Sequence, residues 1–219
     1  MTKKAKPVSP RDEMSFTRIF LFRHPEVKGF SEGKFWGQTD VGLTDRGKAQ
    51  LESIAQRMAR EKLTAVYCSD LKRTRQVAEA VGRTQNPLLK PRVEKRLREM
   101  SLGVWEGLTF KEIDQRHPGE LKARQKDLAN YCIEQGESVN GLAQRVMPAF
   151  EEIAARHSGE RICLVSHAGV NRVILSQLVG APLDMLFRLD QDFACLNLID
   201  IFEDEMPLIR RLNQPSHPS

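Results

Sequence analysis

Two histidines, two arginines and one glutamate stand where a catalytic pocket could be assembled: Arg23-His24, Arg73, Glu99 and His167. Brought together they supply two imidazoles, two guanidinium groups and a carboxyl, a set that suits the chemistry of a phosphomonoester. A guanidinium is planar and permanently charged, and it binds two oxygens of a phosphate dianion at once, which makes Arg23 and Arg73 candidate phosphate ligands. A neutral imidazole nitrogen attacks phosphorus and holds the phosphoryl group covalently, dividing one hard displacement into two easier ones; His24 is the candidate nucleophile. Glu99, kept neutral by desolvation and by the incoming dianion, is the candidate acid for the leaving alkoxide and later the base for water. His167, followed by small Ala168 and Gly169 at an expected helix N-terminus, offers a further donor and backbone amides to the transferring group. The scheme calls on no metal and no cofactor.

These residues need a frame. Thr17 to Phe22, Ala65 to Cys68, Arg161 to Val165 and Cys195 to Phe202 are short apolar runs that read as buried strands. The first ends abruptly at Arg23-His24-Pro25 and the third at Ser166-His167-Ala168-Gly169. Helical patterning fills the intervals. Leu51, Ile54, Ala55 and Met58 make one apolar face after Thr44, a candidate N-cap. Ser69 is placed to cap a helix whose inner face is Leu71, Thr74, Val77, Ala78 and Val81, with Gly82 as its stop. Thr109 and Glu112 form a capping box. A helix from about Ser138 to Arg156 carries Pro148, which should kink or split it. Strands alternating with helices predict an α/β fold, a three-layer α/β/α sandwich with a mostly parallel central sheet. In such sheets ligands bind beyond the carboxyl ends of the strands, where His24 and His167 would both lie.

Composition narrows the alternatives. The chain has 219 residues, 34 Lys+Arg against 29 Asp+Glu, 40% apolar residues and four cysteines. One domain over 16–213 is the economical division, between polar tails at 1–15 and 214–219. Cys68, Cys132, Cys163 and Cys195 are widely spaced, without the pairing of a zinc site, and read as reduced, mostly buried thiols. The apolar runs are far short of the roughly 20 residues that span a bilayer, and Arg11 to Glu13 interrupt any signal-peptide core, so no membrane and a cytoplasmic location are expected. A pI near 9.1 invites nucleic acid, but acids and bases alternate and aromatics are few. A small phosphomonoester explains the charge as well, and no nucleic-acid partner is expected. A strand edge near Leu196 to Phe202 would be available to pair across a homodimer; oligomeric state stays open.

Several motifs occur in series: Phe22-Arg23-His24-Pro25-Glu26, Gly37-Gln38-Thr39-Asp40 with Leu43-Thr44, Ser69 to Thr74, Glu99-Met100 to Gly103, Trp105-Glu106-Gly107, Gly136-Glu137-Ser138 and Ser166 to Gly169. Together they resemble the histidine phosphatase superfamily, in its phosphoglycerate-mutase-like branch, over about residues 17 to 202. The resemblance implies a phosphohistidine mechanism: His24 phosphorylated, Arg23, Arg73 and His167 on the phosphoryl group, Glu99 as proton donor. Within the family, Gly-Gln-Thr-Asp and the Glu99 to Gly107 stretch look most like the α-ribazole phosphatase group, which acts late in cobalamin biosynthesis.

Three departures stand out. The family usually has Gly after the nucleophilic His, whereas Pro25 fixes φ near −65° and lacks a donor. The family's Asn six positions beyond that His is Phe30 here, so a phosphate contact is missing or comes from another residue such as Gln38. Glycolytic mutases follow their acid with Arg-His-Tyr and carry a longer insertion before the second His; here Met100, Ser101 and Leu102 follow Glu99 and the segment to His167 is short. Hydrolysis is therefore expected over phosphoglycerate mutase activity, and a catalytically silent phospho-ligand binding protein is the reading from another class. His117, His157 and His217 read as surface or tail residues. Trp36 and Trp105 either line a cleft or fill the core, and Glu137 either faces the pocket or serves the start of its helix.

Overall fold

Along Phe16–Arg23 (β1) alternate side chains enter two different cores: Ile19 and Leu21 one, Phe20 and Phe22 the other. Ala65–Cys68 (β2) and Arg161–Ser166 (β4) repeat the pattern, with Tyr67 and Leu164 on the first side and Val66 and Val165 on the second. Strands apolar on both faces must be covered on both. One face is covered by the helices Asp45–Met58 (α1) and Lys72–Arg83 (α2), through Ile54, Met58, Val77 and Val81. The other is covered by Phe110–Arg116 (α3), Glu120–Lys126 (α4), Val139–Arg156 (α5) and Ala168–Leu178 (α6), through Ile113, Leu121, Leu142, Val146 and Val173. The computed structural model describes residues 15–216, so of the expected tails at 1–15 and 214–219 the residues 1–14 and 217–219, with His217, lie outside the described residues.

The sheet has six strands in the order β3-β2-β4-β1-β5-β6, where β3 is Arg92–Val93, β5 is Leu196–Phe202 and β6 is Pro207–Gln214. The first four are parallel, β5 is antiparallel to β1, and β6 is antiparallel to β5. The four strands expected from apolar runs are all present. The two edge strands were not read: β3 is only two exposed residues, and β6 is polar along much of its length. With β6 paired to β5, the segment 196–202 is interior to the sheet and is no free edge. Gln214 and Pro215, expected in a tail, instead accept hydrogen bonds from Arg57 on α1.

Local signals behave unevenly. Thr44 caps α1 by accepting from the Gly47 amide, and Thr109 and Glu112 complete the capping box of α3. Pro148 lies inside α5 without splitting it. Ser69, by contrast, is not the cap of α2: that helix starts at Lys72, and its first amide is taken by the Asp40 carboxylate at 2.8 Å. Nor does Gly82 stop α2, which runs one residue further; Gly82 is there because a Cβ would collide with the Leu89 carbonyl. His157 is buried, not at the surface, and joins the Tyr67 hydroxyl to the Glu160 carboxylate. His117 is partly exposed beside Glu120. Cys68, Cys163 and Cys195 are buried free thiols and Cys132 is exposed. Among the described residues no helix is long and apolar enough to cross a membrane.

Candidate active site

The chain leaves β1 through α1 toward β2, and leaves β4 through α6 in the opposite direction toward β5. Connections that leave two adjacent parallel strands in opposite directions on opposite faces of the sheet open a crevice at the carboxyl ends. Arg23 and Ser166 are register partners across β1 and β4, so His24 and His167 leave the sheet side by side. Their rings lie 5.2 Å apart, edge to face. Arg23, His24, Arg73, Glu99 and Ala168 all line one cleft of about 500 Å³.

His24 is 5% exposed, and its Nδ1 lies 2.8 Å from the Pro25 carbonyl. A carbonyl only accepts, so Nδ1 carries the proton of the neutral ring and Nε2 keeps its lone pair. Pro25 therefore does something useful: it orients the nucleophile through its own C=O. Burial, reinforced by the Arg73 and Arg23 charges, holds His24 well below the ordinary imidazole range, and His167 is lowered in the same way. Both rings are neutral at pH 7.

Arg73 is 1% exposed and is gripped by carbonyls, Nη1 donating to Thr39 O at 2.9 Å and Nη2 to Gly37 O at 2.5 Å. Arg23 donates through Nη1 to the Gln191 carbonyl and lies under the Phe193 ring, 3.7 Å from its centroid. Desolvation lowers the Arg23 pKa to about 10, which leaves it charged. Phe30, where the family has Asn, packs edge-on against Phe193 at 4.8 Å and so backs the aromatic lid on Arg23. Three buried nitrogens around His24 have no partner within the protein: Arg23 Nε, Arg73 Nε and His167 Nδ1. Buried orphan donors are costly, and an oxyanion would satisfy the two arginine N–H groups, and His167 in the tautomer that protonates Nδ1.

Glu99 is held from two sides. Its Oε1 accepts from the Met100 amide and its Oε2 from Gly169 at the first turn of α6. Its backbone carbonyl is fixed by Arg145, which also holds the carbonyls of Arg96 and Arg98 and pairs with Glu137 at 2.5 Å. Glu137 does not line the cleft; placed just ahead of Ser138, the cap of α5, it clamps Arg145 and the Ser101 amide. Gln38, read as a substrate contact, gives its amide to Glu99 O and takes a bond from Arg98; it lies outside the cleft lining and acts as a support. Trp36 lines the cleft, whereas Trp105 is 3% exposed and belongs to the core. Among the described residues no group of three or more His, Cys, Asp or Glu is placed to hold a metal ion.

The family model of the histidine phosphatase superfamily, branch 1, matches residues 19–215. The chain belongs to that superfamily. Phosphoserine phosphatase 1 of Hydrogenobacter thermophilus is 29% identical over 200 residues, covering 91% of this chain and 93% of that protein. A metal-independent phosphoserine phosphatase of Arabidopsis thaliana is 36% identical over 175 residues, covering 77% and 71%. Among solved structures, the alpha-ribazole phosphatase of Shigella flexneri superposes with a TM-score of 0.81 at 26% identity, over 92% of this chain and 98% of that one. This histidine phosphatase is a phosphoric monoester hydrolase. Its three-layer fold is the family's, as the sequence led one to expect.

Sequence reading missed the supports of the histidine phosphatase site. Arg145 sits in mid-helix, and Phe193 and Gln191 lie in a loop; no spacing marks them. Ser69 and Thr74 were visible as a motif, but their use was not. Ser69 Oγ lies 2.8 Å from both His167 Nε2 and Thr74 Oγ1, so the pair orients the second histidine.

Proposed function

We propose that the enzyme hydrolyses small phosphomonoesters through a phosphohistidine at His24, without a metal. The observation that carries this reading is the bare Nε2 of a neutral His24 beside the unpartnered nitrogens of Arg23, Arg73 and His167. Nε2 forms the N–P bond as the ester P–O bond breaks, and the leaving alkoxide takes the proton of the Glu99 carboxyl. Water then gives a proton to Glu99 and attacks phosphorus, the N–P bond breaks, and inorganic phosphate leaves. For His167 to donate from Nδ1, its Nε2 must accept the Ser69 hydroxyl proton, and the 2.8 Å contact allows this. The amides at the start of α6 add positive potential beside the transferring group.

For the substrate, α-ribazole 5′-phosphate is the first candidate. The Gly37 to Asp40 and Glu99 to Gly107 motifs and the likeness to the Shigella flexneri structure support it; the phosphoserine phosphatases among the relatives make phosphoserine its rival. The test is phosphate release from both compounds, from 3-phosphoglycerate and from an aryl phosphate, in excess chelator, together with alkaline quenching to trap the labelled protein. Turnover with alkali-stable label on His24 is the expected result. His24→Ala should lose label and at least 10³-fold in kcat, and a fully active His24→Ala protein would overturn the mechanism.

A further inference from the structure

Adjoining the catalytic cleft is a second cavity of about 520 Å³, here called the rear cavity, and the two share five wall residues: Phe35, Leu102, Phe110, Arg124 and Phe187. The rear cavity is otherwise apolar for most of its lining, with Trp105, Ile113 and Leu128 among its walls; its one carboxylate, Asp184, accepts from the Ala129 amide at 3.0 Å and is not paired with Arg124. Its back is rigid, because the Trp105 indole donates to the Glu120 carboxylate at 3.0 Å and stacks on Tyr131. Its entrance is aromatic: Phe110 and Phe187 are 62% and 60% exposed, and Phe35 meets Phe110 edge-on at 4.5 Å. Exposed aromatic side chains gathered at one opening are a recognition feature.

Charge singles out one residue there. The cations of the cleft are Arg23, Lys34, Arg73, Arg124 and Arg172, facing the single carboxylate of Glu99. Arg23 and Arg73 flank the nucleophile. Lys34 pairs with Glu32, and Arg172 lies near Asp190 and donates to the Leu189 carbonyl. Arg124 has no carboxylate within ion-pair distance among the described residues; its polar contact is Nη2 to the Met100 sulfur at 3.9 Å. Its guanidinium stands 5.7 Å from the Trp105 ring and 5.9 Å from the Phe187 ring, at the boundary between the two cavities. A half-buried cation held between aromatic faces, without a counter-ion, is matched to a ligand anion.

We propose that the rear cavity is a leaving-group subsite that takes an apolar, ring-sized body carrying a carboxylate, the carboxylate pairing with Arg124 while the phosphoryl group sits at His24. The proposal rests on the hydrolase reading for its orientation, but binding to the subsite does not require turnover. The experiment therefore has two arms. In the first, kcat/KM is compared for phenyl phosphate, naphthyl phosphate and the carboxynaphthyl phosphate, on wild type, Arg124→Gln and Arg124→Lys. Wild type should prefer the carboxylated ester over naphthyl phosphate by roughly 10- to 100-fold, the worth of a charge-assisted hydrogen bond. Arg124→Gln should bring that ratio close to one, and Arg124→Lys should restore part of it, which separates charge recognition from a folding defect.

In the second arm, naphthoate, which has no phosphoryl group, is titrated against wild type and His24→Ala while Trp fluorescence is followed. Equal affinity in these two proteins and weaker binding in Arg124→Gln supports the subsite even where no ester is hydrolysed. A ratio near one in wild type, or naphthoate binding unaffected by Arg124→Gln, overturns the proposal whatever the outcome for His24.

Discussion

Gly169 fixes where the Glu99 carboxyl can stand. Its amide holds Glu99, and a Cβ at this position would collide with Glu99 Oε1. Gly169→Ala is therefore expected to leave the fold intact but to push the carboxyl away from the leaving group, at a cost of about 10²-fold in kcat. Steady-state kinetics beside a thermal melt checks this; loss of kcat without loss of Tm is the expected pattern. At this scale the sequence was informative about identity and less so about purpose. His24, Arg23, Arg73, Glu99 and Ala168 all reach one cleft, and His167 lies against His24. Gln38 does not, because its amide is claimed by the Glu99 carbonyl. Phe30 is no substitute for a polar phosphate ligand; it packs on Phe193, which stacks on Arg23.

Between β1 and α1 the chain makes a loop whose task is to hold a different helix. Gly37 and Thr39 offer their carbonyls to Arg73, while Asp40 accepts from Lys72 N at the head of α2. Gly37 has no room for a side chain, since a Cβ would strike the Met100 carbonyl, and its amide and that of Gln38 are taken by the Glu106 carboxylate. Three motifs that look independent in the sequence are thus one hydrogen-bonded assembly around a buried guanidinium. Asp40→Ala should cost about 1 kcal/mol of stability, as loss of an N-cap does, and should also raise KM for the phosphoester, because Arg73 is carried on the first turn of that helix. Urea denaturation and KM measured on the same preparation test both. A stability loss with unchanged KM would mean that α2 and Arg73 are positioned independently of the loop. Thr44 and Thr109 were readable as caps because each bonds an amide three residues away. Asp40 was not, because its helix begins 32 residues later.

For the molecule as a whole, the two buried imidazoles couple stability to pH. Each has its pKa lowered in the folded state from an ordinary 6.5. Below 6.5 the unfolded chain therefore binds protons that the folded chain does not. Their contribution is fully present above 6.5 and is lost as pH falls toward the folded values, with a slope of at most about 1.4 kcal/mol per pH unit for each ring. Denaturant midpoints measured from pH 7.5 to 5 should fall accordingly, and His24→Gln should remove about half of the histidine contribution. A flat profile in wild type between 6.5 and 5 would contradict the neutral pair. The same neutrality keeps Nε2 of His24 available as a nucleophile well below pH 6.5, so kcat/KM should not decline there on its account.

By itself the amino-acid sequence determined the elements whose signals are complete within a few residues: four apolar strands, the amphipathic faces of α1 and α2, two caps, and the series of motifs that identifies the family. Short apolar runs alternating with helical patterning were enough to imply a covered, mostly parallel sheet. The tertiary structure alone decided what restrains the reactive groups. Arg145 clamps Glu99 from α5, Phe193 covers Arg23 from the loop that leads into β5, and Ser69 turns from capping to orienting His167. It also decided that the 196–202 strand is interior, since its neighbour β6 is polar and short-range pattern does not announce it. The physical reason is reach. Periodicity and capping are settled by neighbours along the chain, whereas a hydrogen bond or ring contact spanning many tens of residues depends on which surfaces the packed layers bring together.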